Sequence, residues 1–254
     1  MAELYAEWRA RMIAGGAAWW QEAFVKFYQA FLEADRWKLY LNGVGTTLYV
    51  TALALALGVC IGVVVAVFRT AHDQQRPGHH NPLLGIVDAV CRGYVTIIRG
   101  TPMMVQLLIM SMVIFARSRN FTMVGALTLG INSGAYQAEI IRGGLMAVDA
   151  GQMEAVRSLG MHYMDVMRFV VIPQAVKAIL PALGNEFIIL LKDTSLITVI
   201  GGKELLYAAQ GIMSRTYEAM YPLLGIAVVY LVLVMVFTKL LGILERRLRE
   251  SDRR

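Results

Sequence analysis

The sequence predicts an all-α polytopic membrane protein with five transmembrane helices, preceded by an N-terminal amphipathic helix. Three observations support that class. Of 254 residues, 57% are hydrophobic and 17% charged, with a mean hydropathy of +0.56; this is too apolar for an ordinary soluble domain. Apolar runs recur at the length of about 20 residues that a helix needs to cross hydrocarbon. Between them lie polar segments with the Pro, Gly and Asn punctuation of loops, such as RTAHDQQRPGHHNP at 69–82. The net charge of +6 fits membrane orientation, not nucleic-acid binding. Cys60 and Cys91 offer neither a disulfide framework nor metal spacing. Glu3 and Glu7 stand where a secretory signal would be basic.

In chain order, residues 1–40 form an interfacial segment. Trp19, Trp20, Phe24, Phe27, Tyr28 and Phe31 alternate at helical spacing with Glu22, Lys26, Glu33 and Asp35. Such a helix either lies on a membrane surface or packs on the protein's periphery. The membrane-spanning body covers 41–245, and 246–254 is a basic tail. Leu41 to Phe68 is the first span. Leu83 to Ile98 is a weaker apolar helix carrying Asp88 and Arg92. Thr101 is suited to an N-cap and Pro102 to a first turn, so the second span starts there and ends near Ala116. After the turn at 117–120, Phe121 to Ile141 is the third span, with an interruption expected over Gly130 to Gly134. A polar loop occupies about 149–173. The fourth span starts near Pro181 and ends near Ile200. An amphipathic connector covers 201–221, and Pro222 to Leu244 is the fifth span. The His79-His80 pair has no partner at metal spacing.

Arg246, Arg247, Arg249, Arg253 and Arg254 follow the last span. The positive-inside rule therefore places the C-terminus in the cytoplasm and, with five spans, the N-terminus outside. The loops at 69–82 and 142–177 fall inside with six basic residues, Arg69, Arg76, Arg142, Arg157, Arg168 and Lys177.

The inner loop reads GQMEAVRSLGMHYMDVMRFVVIP from Gly151 to Pro173. Asp149 and Gly151 can open a helix, Glu154 and Ala155 favour one, and Gly160 can end it. The order Glu154-Ala155-Val156, then Gly160, then Val170-Val171-Ile172-Pro173 resembles the EAA loop of the membrane subunits of ABC importers. Val156 departs from the family's alanine. Three further stretches resemble polar amino-acid permeases of that family. These are Arg99-Gly100-Thr101-Pro102 with Val105-Gln106, the run Ala135 to Gly144, and Asn185-Glu186 with Leu191-Lys192-Asp193-Thr194-Ser195-Leu196. They occur in order and cover about residues 40–245.

The resemblance implies the type I ABC importer permease fold in a bacterial plasma (inner) membrane. It also implies two copies of an ATP-binding subunit, a second permease protomer (identical or a paralogue) and an extracytoplasmic solute-binding protein. ATP and Mg would belong to the ATPase partner. No G-x-x-x-x-G-K-[ST] occurs in this chain, so it is expected to be no enzyme and to bind no cofactor itself. Gln152, Glu154, Ala155, Ser158, Leu159, Gly160 and Met161 would contact the ATPase.

The substrate site is argued from charge. Glu186, Lys192 and Asp193 interrupt an apolar span, and ionisable groups there mark pairs or water-filled paths. Glu186 and Asp193 are two helical turns apart, on one face, about 10 Å along the axis. They would bind the ammonium or a cationic side chain of an amino acid. Asn132 and Tyr136 would complete the pocket, with Thr128, Ser133 and Gln106 as further candidates. Glu139 and Arg142, three apart, can pair with each other. Two carboxylates favour a cationic substrate.

Other classes fit less well. Gly130 to Gly134 approaches an intramembrane serine-protease motif but is misspaced by one, and the spans hold no histidine base. An ion-coupled secondary transporter would usually show an inverted repeat, which is not seen. A channel or scaffold would leave Glu186 and the loop unused.

Overall fold

The protein is described here by a computed structural model covering residues 2–75 and 81–252. Arg76, the His79-His80 pair, Arg253 and Arg254 lie outside the described residues. Among the described residues the fold is all-helical, with no strand.

The N-terminal segment is two helices, Ala2–Ile13 (α1) and Trp19–Phe31 (α2), where one was expected. Gly15, at φ 73°, turns the chain between them. Aromatic rings close the hairpin: Tyr5 stacks on Tyr28 at 4.4 Å, and Trp8 meets Trp20 edge-on at 5.1 Å. Phe31 of α2 packs onto Tyr40, Leu205 and Ile226, and Lys26 Nζ lies 3.1 Å from Glu218. One face of α2 thus packs on the protein, while Trp19, Trp20 and Phe27 remain exposed.

Trp37–Asp73 (α3) is 37 residues long and carries the first apolar run past its expected end at Phe68. Pro82–Gly100 (α4) is opened by Asn81, whose side chain accepts from the Leu83 amide at 3.0 Å. The chain then bends by 107° into Met103–Ile109 (α5), which continues as a π turn over Met110–Ile114. Thr101 is not the N-cap of α5. As the residue before a proline it is held extended, at φ −116° and ψ 143°. Its hydroxyl donates back to the Ile97 carbonyl at 2.9 Å, and Pro102 takes the N-cap position.

Phe121–Met146 (α6) is continuous, so the expected break at Gly130 to Gly134 does not occur. Its glycines, with Gly58 and Gly62 of α3, let two backbones approach. A methyl group at Gly62 would come 2.9 Å from Gln137 Cβ and 3.0 Å from the Ala138 nitrogen. One at Gly134 would meet Tyr94 at 2.9 Å and Ile61 at 3.0 Å. Close approach of this kind is how small residues join membrane helices.

Ala150–Ser158 (α7) forms a short helix in the inner loop. Tyr163–Val166 (α8) then runs through a π turn at Met167–Val171 into Ile172–Asp193 (α9), which ends as a 3-10 turn over Thr194–Ile200. The fourth apolar element thus starts near Tyr163 and not at Pro181, and the non-helical part of the loop is shorter than 149–173. Pro173 follows directly on the π turn, which accommodates its missing N–H within the continuous helix, and Pro181 is accommodated inside α9. Leu205–Thr216 (α10) and Met220–Asp252 (α11) complete the chain.

Among the described residues, three helical stretches are long and apolar enough to cross a membrane: Glu33–Asp73, Tyr163–Ile200 and Met220–Leu248. The bent pair α4–α5 is a fourth if it counts as one span. The helix α6 falls short of that apolarity yet occupies the centre, against α3, α4 and α9. Val50, Ala54, Leu107, Leu129 and Ile197 form the main core around it.

Candidate functional site

The middle of α6 carries the polar residues that place a site in the apolar bundle. Ser133, almost fully buried, donates to Glu186 Oε1 of α9 at 2.7 Å, and Gln137 Nε2 donates to Ser133 at 2.8 Å. Glu186 is only 7% exposed, and no cation among the described residues forms an ion pair with it. Gln137 escaped the sequence reading. Its position one turn beyond Ser133, facing α3 glycines, is the signal that could have found it.

A second group gathers at the α4–α5 elbow. Asn132 Nδ2 donates to Gln106 Oε1 at 3.0 Å. Gln106 Nε2 donates in turn to the Ile98 carbonyl at 2.7 Å and the Thr101 hydroxyl at 2.8 Å. Beside them the Arg99 guanidinium lies 5.1 Å from the Tyr136 ring centroid, a stacking contact. The structure therefore brings Gln106 and Asn132 together and Ser133 with Glu186, while Tyr136, one turn along α6 from Asn132, meets Arg99. Two candidates stand apart. Asp193 is half-buried at the end of α9, without a hydrogen bond or ion pair among the described residues. Thr128 is buried, its hydroxyl donating to the Val124 carbonyl of its own helix at 2.7 Å.

A third cluster, at the far ends of α3, α4 and α6, was not legible beyond the Glu139–Arg142 pair. Arg69 bonds Glu139, and Arg142 holds the other oxygen of that carboxylate at 3.2 Å. Arg92 Nε lies 2.6 Å from Asp88 and its Nη2 lies 3.6 Å from Asp73, which also receives Arg142 at 3.4 Å. His72 approaches Asp88 at 3.5 Å. The partners come from segments up to seventy residues apart, so no local pattern joins them. Among the described residues no group of His, Cys, Asp and Glu is arranged to hold a metal.

The inner loop is exposed. Asp149 caps α7 by accepting from the Gly151 amide at 2.8 Å, and Gly160 ends it at φ 89°. Gln152 accepts from Gln174 of α9 at 2.7 Å, tying α7 to the long helix. Glu154, Ala155, Ser158, Leu159 and Gly160 are exposed and Met161 is half-buried; Leu159 is 85% exposed. The Tyr163 hydroxyl donates to Gln74 at the end of α3.

An all-helical apolar bundle with a buried, uncompensated carboxylate at its middle and an exposed short helix between spans is the build of a transport permease. Comparison with known proteins identifies the family. The chain belongs to the family described as "Binding-protein-dependent transport system inner membrane component", whose model matches residues 81–250, and it is a permease subunit of an ABC importer. It is 35% identical over 218 residues to the glutamine transport system permease protein GlnP of Escherichia coli, covering 83% of this chain and 93% of that one. Against the arginine transport system permease protein ArtQ of Bacillus subtilis it is 33% identical over 217 residues, covering 84% and 93%. A crystal structure of an amino acid ABC transporter with histidines superposes with a TM-score of 0.74 at 42% identity, covering 83% of this chain and 94% of the other.

Proposed function

We propose that this chain forms the membrane path of an importer for polar amino acids, with a preference for cationic ones. The observation that carries this reading is Glu186: a buried carboxylate held by a serine hydroxyl, at the middle of the bundle and free of any described ion pair. A desolvated carboxylate without a counter-ion is a site for an ammonium or guanidinium. Asp193, two turns further along α9, offers a second carboxylate on the way. Asn132, Tyr136, Gln106 and Ser133 supply hydrogen bonds around it, with Thr128 a packed neighbour. The relatives named for glutamine and arginine transport support the amino-acid class.

Transport proceeds by alternating access. Two permease protomers, identical or paralogous, pair in the lipid of the inner membrane, N-termini outside and C-termini in the cytoplasm. An extracytoplasmic binding protein delivers the substrate. Two ATP-binding subunits dock on α7 and its flank, Gln152, Glu154, Ala155, Ser158, Leu159, Gly160 and Met161, and these subunits hold the ATP and Mg. Residues 1–40 act as a peripheral segment, 41–245 as the permease domain and 246–254 as the cytoplasmic tail. The exposure of α7 and its tie to α9 through Gln152 support this coupling route. The test is purification from membranes in mild detergent with mass spectrometry of the partners. An ATPase subunit at near one-to-one stoichiometry is expected, and a chain that purifies alone under several detergents refutes the reading.

A further inference from the structure

Building on that amino-acid reading, we infer that Arg99 is the group that receives the substrate's carboxylate, so the permease itself, and not only its binding protein, requires an anionic end on what it carries. Arg99 lies against the middle of α6. Its ring partner Tyr136 is about 22 Å from one end of that helix and about 15 Å from the other, at 1.5 Å per residue. A guanidinium at such a depth costs about 2.5–3.5 kcal/mol on insertion scales unless it meets an anion or a water-filled path. The other arginines of the bundle have their anions: Arg69 and Arg142 hold Glu139, and Arg92 holds Asp88. Among the described residues no carboxylate pairs with Arg99.

The side chain is exposed, and Tyr136 meets it at cation–π distance. An arginine fork can make two parallel bonds to a carboxylate. Arg99 lines a cavity of about 310 Å³ together with Arg69, Arg92, Val95, Thr96 and Glu139. That is the lower end of the size range of small-molecule sites. Because Glu139 is already engaged by two arginines, the field in the cavity is positive, and the Thr96 hydroxyl adds a donor. Gln106 and Asn132 are bonded to each other at the elbow, and Gln106 also donates to the carbonyl of Ile98, the residue before Arg99. The cavity thus offers an anionic group a preformed seat on α4, while Glu186 offers a cationic group one on α9.

The test uses the full complex of this chain with its ATPase subunits, purified in detergent. Binding of radiolabelled L-arginine, L-histidine and L-glutamine is measured, with each amino acid's methyl ester as competitor. Measured at mildly acidic pH, where the ester's amine stays protonated, the ester keeps the ammonium and removes the carboxylate charge. The native complex is expected to bind at least one of the three and to disfavour its ester by about tenfold or more, the size of a charge-assisted hydrogen bond. Arg99→Gln is expected to weaken amino-acid binding by a similar factor and to treat acid and ester alike. Tyr136→Leu, which leaves the charge but removes its support, is expected to narrow the acid–ester gap several-fold and serves if Arg99→Gln does not assemble. Native affinity and native discrimination in Arg99→Gln, or in Tyr136→Leu where only that variant assembles, overturn the inference and leave the amino-acid reading standing. Binding of none of the three amino acids by the native complex overturns both. Unchanged binding in Arg99→Gln together with loss of co-purifying phospholipid assigns the guanidinium to a lipid phosphate and also overturns it.

Discussion

Two polar clusters sit on α6 within a few turns of each other and are built on opposite rules. At the loop end, Arg69, Arg92 and Arg142 face Asp73, Asp88 and Glu139, with His72 beside them. Three cations answer three anions, and their hydrogen bonds run from helix to helix. Near the middle, among the described residues, Glu186 has a serine and no ion pair, and Arg99 rests on a ring without an anion. The same residue types therefore do different work. A charge answered inside the protein joins helices, whereas one left unanswered in an apolar bundle awaits a partner from outside.

The sharpest way to break the comparison is Asp88→Ala. It leaves Arg92 and Arg69 facing each other without their shared anion. Removing one member of a buried pair costs about 3–5 kcal/mol, so thermal unfolding in detergent should shift down markedly or the protein should not be recovered. Full yield with an unchanged melting temperature would show that the junction is not structural. Glu186→Gln should behave in the opposite way, with melting unchanged or raised and uptake of a cationic amino acid reduced about tenfold, the equivalent of about 1.4 kcal/mol. Uptake of a neutral amino acid, measured in the same reconstituted vesicles, should fall less; equal losses would remove the cationic preference.

Gly160→Ala places a side chain at φ 89°, a strain of about 1 kcal/mol. It lies outside both clusters and should lower transport per ATP hydrolysed while leaving substrate binding intact. A transport-to-ATP ratio equal to the native one would remove the loop from the coupling route. Thr128→Val marks the null end of the series. Its hydroxyl serves only its own helix, so melting should move by less than about 1 kcal/mol and uptake should not change. A loss of uptake there would extend the binding site toward the start of α6.

Much of this arrangement was readable from the chain because it is local. The apolar runs at 41–68 and 222–244, the cap at Asp149 and the glycine ending α7 are each written within a few neighbouring residues. Glu186 and Asn132 could be picked out as polar groups in apolar surroundings. What escaped depends on neighbours distant in sequence. Gly130 and Gly134 look like a helix break until α3 packs Leu57 and Ile61 against them. Thr101 looks like a cap until the proline after it forces an extended backbone. The Arg69–Glu139 bond, and the seat of Arg99 on Tyr136, exist only because α3, α4 and α6 meet. Glu139 and Arg142, three apart on α6, and Asp88 and Arg92, four apart on α4, were the local hints of the junction.

The glycine seam between α3 and α6 also bears on how the molecule is made. The helix α3 contains an 18-residue stretch of mean hydropathy 2.7 and can settle in the bilayer unaided, but α6, with Asn132, Ser133, Gln137 and Glu139 along it, cannot. It emerges from the ribosome after α3 and before α9, so at that moment Glu186 does not yet exist to receive Ser133. Only α3, α4 and α5 can shelter its polar face at that stage, and α3 offers the longest contact. The seam is thus a cradle for a half-built protein: α6 enters the membrane as the companion of a helix already there, and the site that α9 completes is sheltered before it can bind anything.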